Sequence, residues 1–403
     1  MADAQIDANR RNDLVVDPED TFFIELQKRF LNFGKEMQKY GSGGEIWNST
    51  QTFTIPPSSY DLLTDLELKI TLPVLSTGSH ATSSAFIGYT NSVGHAIIKS
   101  IKFYINGQLI DQHTGEWMEI WDELTLDNDS LKSEVGKYDS NIALRTNATV
   151  EKTLIVPLRF WFCRNWSMAL PCKDIDRIKI EVSTRTFAEL VYTDAATTST
   201  PTGSSMYLIA TYVKFDSEDK SLLNQNVIDY FKNKYEDVII DTVQHLSTSS
   251  QTGSGTSKTI TLNSFSSSLK ELFWVAQLQN TSTLGKNYFR FSHSNGTNVI
   301  TNAAIKISGN EIINQPSTYF TGAQPDAHHS SNSKKHIHCF CWALHPESPK
   351  LTGGLGINDY TDLKLTLTTQ SVTYDYNVYA LTHKVLTIKK NNISISDVIE
   401  GGY

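Results

Sequence analysis

Six side chains of the kinds that hold metal ions fall between residues 328 and 341: His328, His329, His336, His338, Cys339 and Cys341. Zinc takes four such ligands in a tetrahedron of thiolates and imidazole nitrogens. On a β-strand successive side chains alternate between faces, so His336 and His338 share one face while Cys339 and Cys341 share the other. They cannot all converge on one ion without leaving the strand. His336 and His338 alone supply two imidazoles, short of a four-ligand site. The expectation is that the two cysteines are small core residues and that the two histidines face solvent or a neighbour. The chain's four thiols, Cys163, Cys172, Cys339 and Cys341, are then free, with no zinc bound.

Other chemistry is sparse. The chain has no G-x-S-x-G elbow, P-loop, H-E-x-x-H or C-x-x-C. The loop GSGTSK at 253–258 lacks P-loop spacing and a strand-to-helix setting, so it reads as a flexible loop rather than a phosphate cradle. Phe160, Trp161, Phe162 and Trp166 could stack on a sugar or base, but buried strand aromatics are the commoner use of such a run. Asp174, Asp176, Asp359 and Asp362 each lead a strand, where a solvated turn acid is expected. No catalytic, cofactor-binding or metal-ligating residue is assigned, and no enzyme activity is expected.

Composition sets the frame. The 403 residues are 39% apolar and 19% charged, enough for a large core and too apolar for a disordered chain. The polar surface falls to Ser, Thr and Asn, as in β-rich proteins with long loops. The net charge of −8 lacks the basic excess that phosphate binding requires, so no direct sequence-specific contact with nucleic acid is expected. No apolar run reaches the ~18 residues of a membrane span. The polar, acidic first 20 residues contain no apolar core of a secretion signal, so cytosolic synthesis is expected, with the cysteines reduced. The seven N-x-S/T triplets are attributed to chance.

Residues 1–20 read as an N-terminal arm. In TFFIELQKRFLNFGKEMQKYG, Phe22, Leu26 and Phe30 fall four apart, which predicts a helix face over residues 20–40, with an extended Phe-rich segment as the alternative. From about residue 50 short apolar runs recur: QTFTIP, DLELKITLPVL, AIIKSIKFYI, GQLID, TLIVPLRFWF and DRIKIEVSTRTF. Leu66, Leu68, Ile70 and Leu72 lie on one strand face, and Glu67, Lys69 and Thr71 on the other. Asn106-Gly107 between two runs marks a two-residue hairpin, since both positions of a type I′ turn need positive φ. Trp117, Ile120, Trp121 and Leu124 break the β texture with helical spacing in 115–135. A third helix-tolerant stretch is 218–234.

The strand texture returns in TLNSF, KELFWVAQLQ, NYFRFSH, AAIKISGNEII, HIHCFCWALHP, DLKLTLTTQ, YNVYALTHKVLTIKK and ISISDV. A repeat is visible. IKSIKFYINGQLID, RFWFCRNWSMALP and DIDRIKIEV in the first half match AAIKISGNEII, CFCWALHPESPKLTG and DYTDLKLTL in the second. Each half reads hairpin, aromatic-Cys strand, proline loop, acid-led strand, which suggests two copies of one antiparallel sandwich. The division is placed at a linker, 216–237, between sandwiches at 21–215 and 238–403, the second ending in a C-terminal tail. The stretch 193–205 is a loop inside the first.

Laid out in this order, the chain resembles the major capsid protein family of large icosahedral DNA viruses: the nucleocytoplasmic large DNA viruses, with virophages and polinton-like viruses more distant. PEDTFFIELQKRFLNF at 18–33 resembles the family's N-terminal signature. The strongest match is SVGHAIIKSIKFYINGQLIDQHTGEWMEIWDEL at 92–124, through Gly94, Ile98, Gly107, Ile110, Asp111, Trp117, Ile120, Trp121 and Leu124. VPLRFWFCRNWSMALP at 156–171 resembles its proline-aromatic run. KELFWVAQ, NEIINQPSTYF and CWALHPESPKLTGGLGINDYTDLKLTL resemble second-domain segments. Departures lie at Gly309-Asn310, at Gln315 and at Asn358-Asp359-Tyr360.

The resemblance implies an all-β chain of two tandem eight-stranded jelly rolls with short helical insertions. It implies a structural role in the virion capsid after synthesis in the host cytoplasm. Homotrimers would form pseudo-hexameric capsomers that join in a lattice with minor capsid and penton proteins. The alternative is a jelly-roll carbohydrate-binding or virion surface attachment protein. The long loops 76–93, 126–150, 193–205 and 247–258 are the expected material for trimer clasps and outer tips.

Overall fold

The structure is a computed structural model. It describes residues 32–398 except 42, 57–59, 76–86, 127–133, 139–143, 145–147, 174, 194–199, 216–221, 249–256, 279–286, 294, 332, 334, 361, 370–373 and 390–391. The N-terminal arm, most of the first helical expectation and most of the long loops lie outside these residues.

The first half contributes β1 (Phe33–Tyr40), β2 (Thr50–Ile55), β3 (Leu62–Leu72), β4 (Ile87–Tyr89), β5 (Ile98–Ile105), β6 (Gln108–His113), β7 (Lys152–Pro157), β8 (Leu170–Pro171), β9 (Ile178–Thr184), β10 (Val191–Thr193) and β11 (Ser205–Phe215). Two helices matter below: α1 (Gly115–Thr125) within this half, and α2 (Leu222–Lys234) after it. The second half contributes β12 (Val238–Thr248), β13 (Ser257–Thr261), β14 (Ser268–Leu278), β15 (Ile300–Ile307), β16 (Asn310–Pro316), β17 (His338–Cys341), β18 (Leu355–Gly356), β19 (Leu363–Thr369), β20 (Tyr374–Lys389) and β21 (Asn392–Asp397).

The sheets repeat strand for strand. In the first half, β1-β11-β3-β7 faces β2-β9-β5-β6. In the second, β12-β20-β14-β17 faces β13-β19-β15-β16. The short β8 and β18 pair with the equivalent strands β3 and β14. Each half is thus an eight-stranded antiparallel jelly roll, and the tandem arrangement read from sequence holds at the level of topology. β21 adds to β20, and β4 with β10 makes a small separate sheet that ties the loop before residue 93 to the one after residue 190.

Alternation drives the strands. Leu66, Leu68, Ile70 and Leu72 of β3 are buried while Glu67, Lys69 and Thr71 are half-exposed. The expected hairpin joins β5 to β6, with φ +48° at Asn106 and +92° at Gly107. Its counterpart between β15 and β16 uses Ser308 and Gly309, at φ +50° and +82°.

Three expectations need correction. Residues 33–40 are not helical; they form β1, whose eight residues pair with β11 from Phe33–Phe215 to Tyr40–Leu208. Over these residues the extended alternative holds, because backbone pairing along a long partner strand decides the conformation; Phe22, Leu26 and Phe30 lie outside the described residues. Second, Trp161–Arg164 is a helical turn rather than the end of a strand, because the chain leaves the sheet after Pro157. Third, further short helical segments occur outside the three expected stretches, at Val93–Ala96, Phe187–Leu190, Tyr319–Ala323 and Gln324–His328.

One core runs through both rolls. It joins first-roll residues such as Phe103, Trp117 and Phe160 to Phe273, Ile337, Tyr379 and Leu381 of the second. A separate cluster around Leu272, Trp274, Ile305 and Val378 fills the interior of the second roll. Among the described residues no helix is long and apolar enough to cross a membrane.

Candidate functional site at the junction of the two rolls

Helix α1 stands where the rolls meet. Thr114 starts it: the Thr114 hydroxyl oxygen accepts the Trp117 N–H at 3.1 Å. Gly115 follows because any Cβ there would run into the carbonyl oxygens of His95 and Ile98. Trp117, Ile120, Trp121 and Leu124 form the expected apolar stripe. Trp117 meets Phe273 edge-on at 5.1 Å and lies 5.7 Å from the Tyr379 ring, both in the second roll.

The opposite face of the helix is not solvated. Glu116, Glu119, Asp122 and Glu123 are all buried. A helix enclosed on every side must meet each of these charges with a partner. The Tyr379 hydroxyl and the Asn377 amide donate to Glu116 at 2.9 and 3.1 Å. Glu119 accepts from the Ser92 hydroxyl at 2.9 Å, lies 2.7 Å from His95 Nδ1, and pairs with Lys335. Arg159 Nε donates to Asp122 at 2.7 Å, and the second His95 nitrogen is 3.4 Å from that carboxylate. Glu123 pairs with Lys335 at 3.0 Å and with Lys137, and accepts from the Ser333 hydroxyl at 3.1 Å. At the helix end the Ser331 N–H donates to the Leu124 carbonyl at 2.9 Å. Ser331, Ser333 and Lys335 of the second roll therefore clamp a helix of the first.

The charges polarise one another. Burial alone would lower the His95 pKa, but the bonds and charges of Asp122 and Glu119 prevail and raise it to about 9. Glu119 and Asp122 are held below the ordinary carboxylate range: burial opposes this, and the Lys335 charge and His95 for Glu119, with Arg159 and His95 for Asp122, overcome it. Glu116 accepts its hydrogen bonds from neutral groups, with Arg185 adding a weaker charge effect. Burial pushes its carboxyl up to about 7, against the two hydrogen bonds it accepts.

Further contacts extend the junction. Asp111 within β6 accepts the Val243 N–H of β12 at 3.0 Å. Arg164 reaches Asp241 at 3.1 Å, and Lys270 and His383 converge on that carboxylate at 2.9 and 3.1 Å. Trp161 Nε1 donates to the Tyr235 hydroxyl at 3.1 Å. The Tyr288 N–H donates to the Thr90 hydroxyl at 2.9 Å.

The residues singled out in sequence divide. Phe160, Trp161 and Phe162 are buried against Phe103, while Trp166 is surface-exposed. Asp176 is exposed and Asp362 pairs with Lys364 at 2.8 Å. Of the loop 253–258, Ser257 and Lys258 start β13 and the rest lies outside the described residues. The strand alternation assumed for His336–Cys341 fails, because His336 has φ +56° and β17 begins only at His338. His336 Nε2 reaches the Gly296 carbonyl at 2.9 Å, and buried His338 lies 2.5 Å from the Ser317 hydroxyl. Burial lowers the His338 pKa to about 3. Cys339 and Cys341 do share a face, and they meet His329 and Glu271 there. Sequence reading missed Glu271, and it treated the acids of α1 as unremarkable. Their only signal is four acids on the face opposite a tryptophan stripe.

Two family models match end to end: "Major capsid protein N-terminus" over residues 21–216 and "Large eukaryotic DNA virus major capsid protein" over 228–396. The chain belongs to the major capsid protein family of large eukaryotic DNA viruses. A major capsid protein of Pyramimonas orientalis virus is 29% identical over 77% of this chain and 71% of its own length. A probable capsid protein of Acanthamoeba polyphaga mimivirus is 32% identical over 44% of this chain, which spans 36% of that relative. Among solved structures, PBCV-1 VP54 superposes with a TM-score of 0.76 at 18% identity, covering 94% of this chain and all of VP54. That likeness shows the fold, the double jelly roll. In this capsid protein the buried charges around α1 join the two rolls.

Proposed function

We propose that this capsid protein is the shell-forming subunit of an icosahedral particle, acting as a trimer whose three chains set six similar lobes in a ring. One observation carries the reading: two rolls of identical strand order are joined through α1 into a single two-lobed block. Six such lobes approximate a hexagon only if the angle within each chain is fixed, and the enclosed helix with its paired charges fixes it. In this reading the lobes are 21–215 and 238–403, with 216–237 as connector; in support, the main sheets of strands β1 to β11 and those of β12 to β21 exchange no strand.

Surfaces rather than bond-making chemistry do the work in this reading. A cyclic trimer needs unlike patches that meet head to tail, and a stable interface buries roughly 2,000 Å² or more. Among the described residues β1 pairs on one side only, with β11, and exposed Phe33, Met37 and Trp166 lie at its other edge. Synthesis in the host cytoplasm, and contact of the finished capsomers with minor capsid and penton proteins, belong to the same proposal. Light scattering coupled to size exclusion should give about three times 45.2 kDa. A chain that stays monomeric at micromolar concentration in every salt tested would overturn the proposal and favour a carbohydrate-binding or attachment role.

A further inference from the structure

Strands β14 and β17 are neighbours, with Glu271 opposite Cys341 and Phe273 opposite Cys339. The two-residue period puts both cysteines on one face, and the cross-strand pairing puts Glu271 beside them. The turn after Gln324–His328 then lays His329 over the same spot. One imidazole nitrogen, two sulfurs and one carboxylate oxygen lie within 4.8 Å of one another. The side chains of Glu271 and His329 are wholly buried, as is Cys339.

We propose that Cys339, Cys341, His329 and Glu271 form a structural zinc site. Two thiolates, an imidazole and a carboxylate are a closed tetrahedral donor set for this ion, and their net charge with zinc, −1, equals that of a three-cysteine, one-histidine site. His329 Nε2 is 2.7 Å from Glu271 Oε1, and Cys341 Sγ is 2.9 Å from the same oxygen. These are hydrogen-bond separations. An ion replaces the shared protons and spreads its donors to roughly 3.3–3.8 Å, the spacing set by zinc–ligand bonds of about 2.0–2.3 Å. The second oxygen of Glu271 is buried and has no hydrogen-bond partner among the described residues, a costly arrangement that a cation relieves.

The surroundings fit as well. His329 Nδ1 is 3.1 Å from Glu347, which accepts the Ser330 N–H at 2.7 Å. A carboxylate behind a ligating imidazole fixes its tautomer, leaving the Nε2 lone pair for the metal. On binding, the two thiol protons and the proton held between His329 Nε2 and Glu271 pass to solvent, and the remaining His329 proton rests on Nδ1. The site would pin the start of the segment whose Ser331, Ser333 and Lys335 grip α1.

Elemental analysis of the purified full-length chain tests this, together with Co(II) added during refolding. The expected result is one zinc per chain and an intense sulfur-to-cobalt charge-transfer band. Cys341→Ser should lose both, and Cys163→Ser should keep both. If Cys341→Ser fails to fold, the wild-type cobalt spectrum still decides, since only thiolate ligation produces that band. No zinc and an aquo-cobalt spectrum in wild type would overturn the proposal and leave a metal-free Glu271–His329 pair. Metal retained at full stoichiometry in folded Cys341→Ser would also overturn it.

Discussion

The imidazole of His95 lies 2.7 Å from a carboxylate oxygen of Glu119, with both side chains almost wholly buried at the heart of the junction. The bond joins the turn before β5 to the face of α1 that Lys335 of the second roll also contacts.

That pairing predicts a direction for stability against pH. His95 has a folded pKa of about 9 against an ordinary 6.5. A raised basic group contributes fully below its unfolded value and loses the contribution as pH climbs through the folded one. Glu116, raised to about 7 from 4.5, acts with the same sign at lower pH, because the fold favours its neutral form. Glu119 and Asp122, held low, add stability above the ordinary carboxylate range and lose it in acid. The thermal unfolding midpoint should therefore fall between pH 7 and 9, and the fall should flatten in His95→Gln. A wild-type midpoint that is level or rising over this window would show that His95 is neutral in the fold.

Lys335→Met should destabilise the chain by about 3 kcal/mol, because it leaves Glu119 and Glu123 buried without their shared cation. The damage should concentrate at the junction. Denaturant unfolding, followed by tryptophan fluorescence and by circular dichroism, should give coincident curves in wild type and separated ones in the variant. Unchanged stability would mean that the clamp contributes nothing.

Gly107→Val should cost about 1–2 kcal/mol from backbone strain alone. Gly107 has φ +92°, and an added Cβ would meet nothing within 4 Å, so no clash contributes. Gly309→Val, at φ +82° in the equivalent turn, should behave alike. Melting temperatures equal to wild type in both would refute the shared turn geometry.

Much of the fold is written locally. Leu66 to Leu72 alternate because a strand has period two, and only one face can reach a core. Asn106-Gly107 requires a turn because few other pairs tolerate two positive φ values. The match of one half to the other followed from these short-range patterns, and so did two antiparallel sandwiches; their jelly-roll form came from the family resemblance. Trp117, Ile120, Trp121 and Leu124 likewise announced α1 from spacing alone.

What covers an element is not local, and there the tertiary structure decided. Phe33–Tyr40 became a strand because β11 offered a long edge to pair with, a partner more than 160 residues away at every registered position. Glu116, Glu119, Asp122 and Glu123 look like a solvated face until the second roll closes over them, bringing Lys335, Asn377 and Tyr379 across more than 200 residues of chain. Glu271 and His329 join Cys339 and Cys341 only through the register of β14 against β17 and the path of one turn. Periodicity reports which side of an element is apolar. It carries no information about which distant segment lies against the other side, and that contact sets whether a charge is solvated, paired or placed to hold an ion.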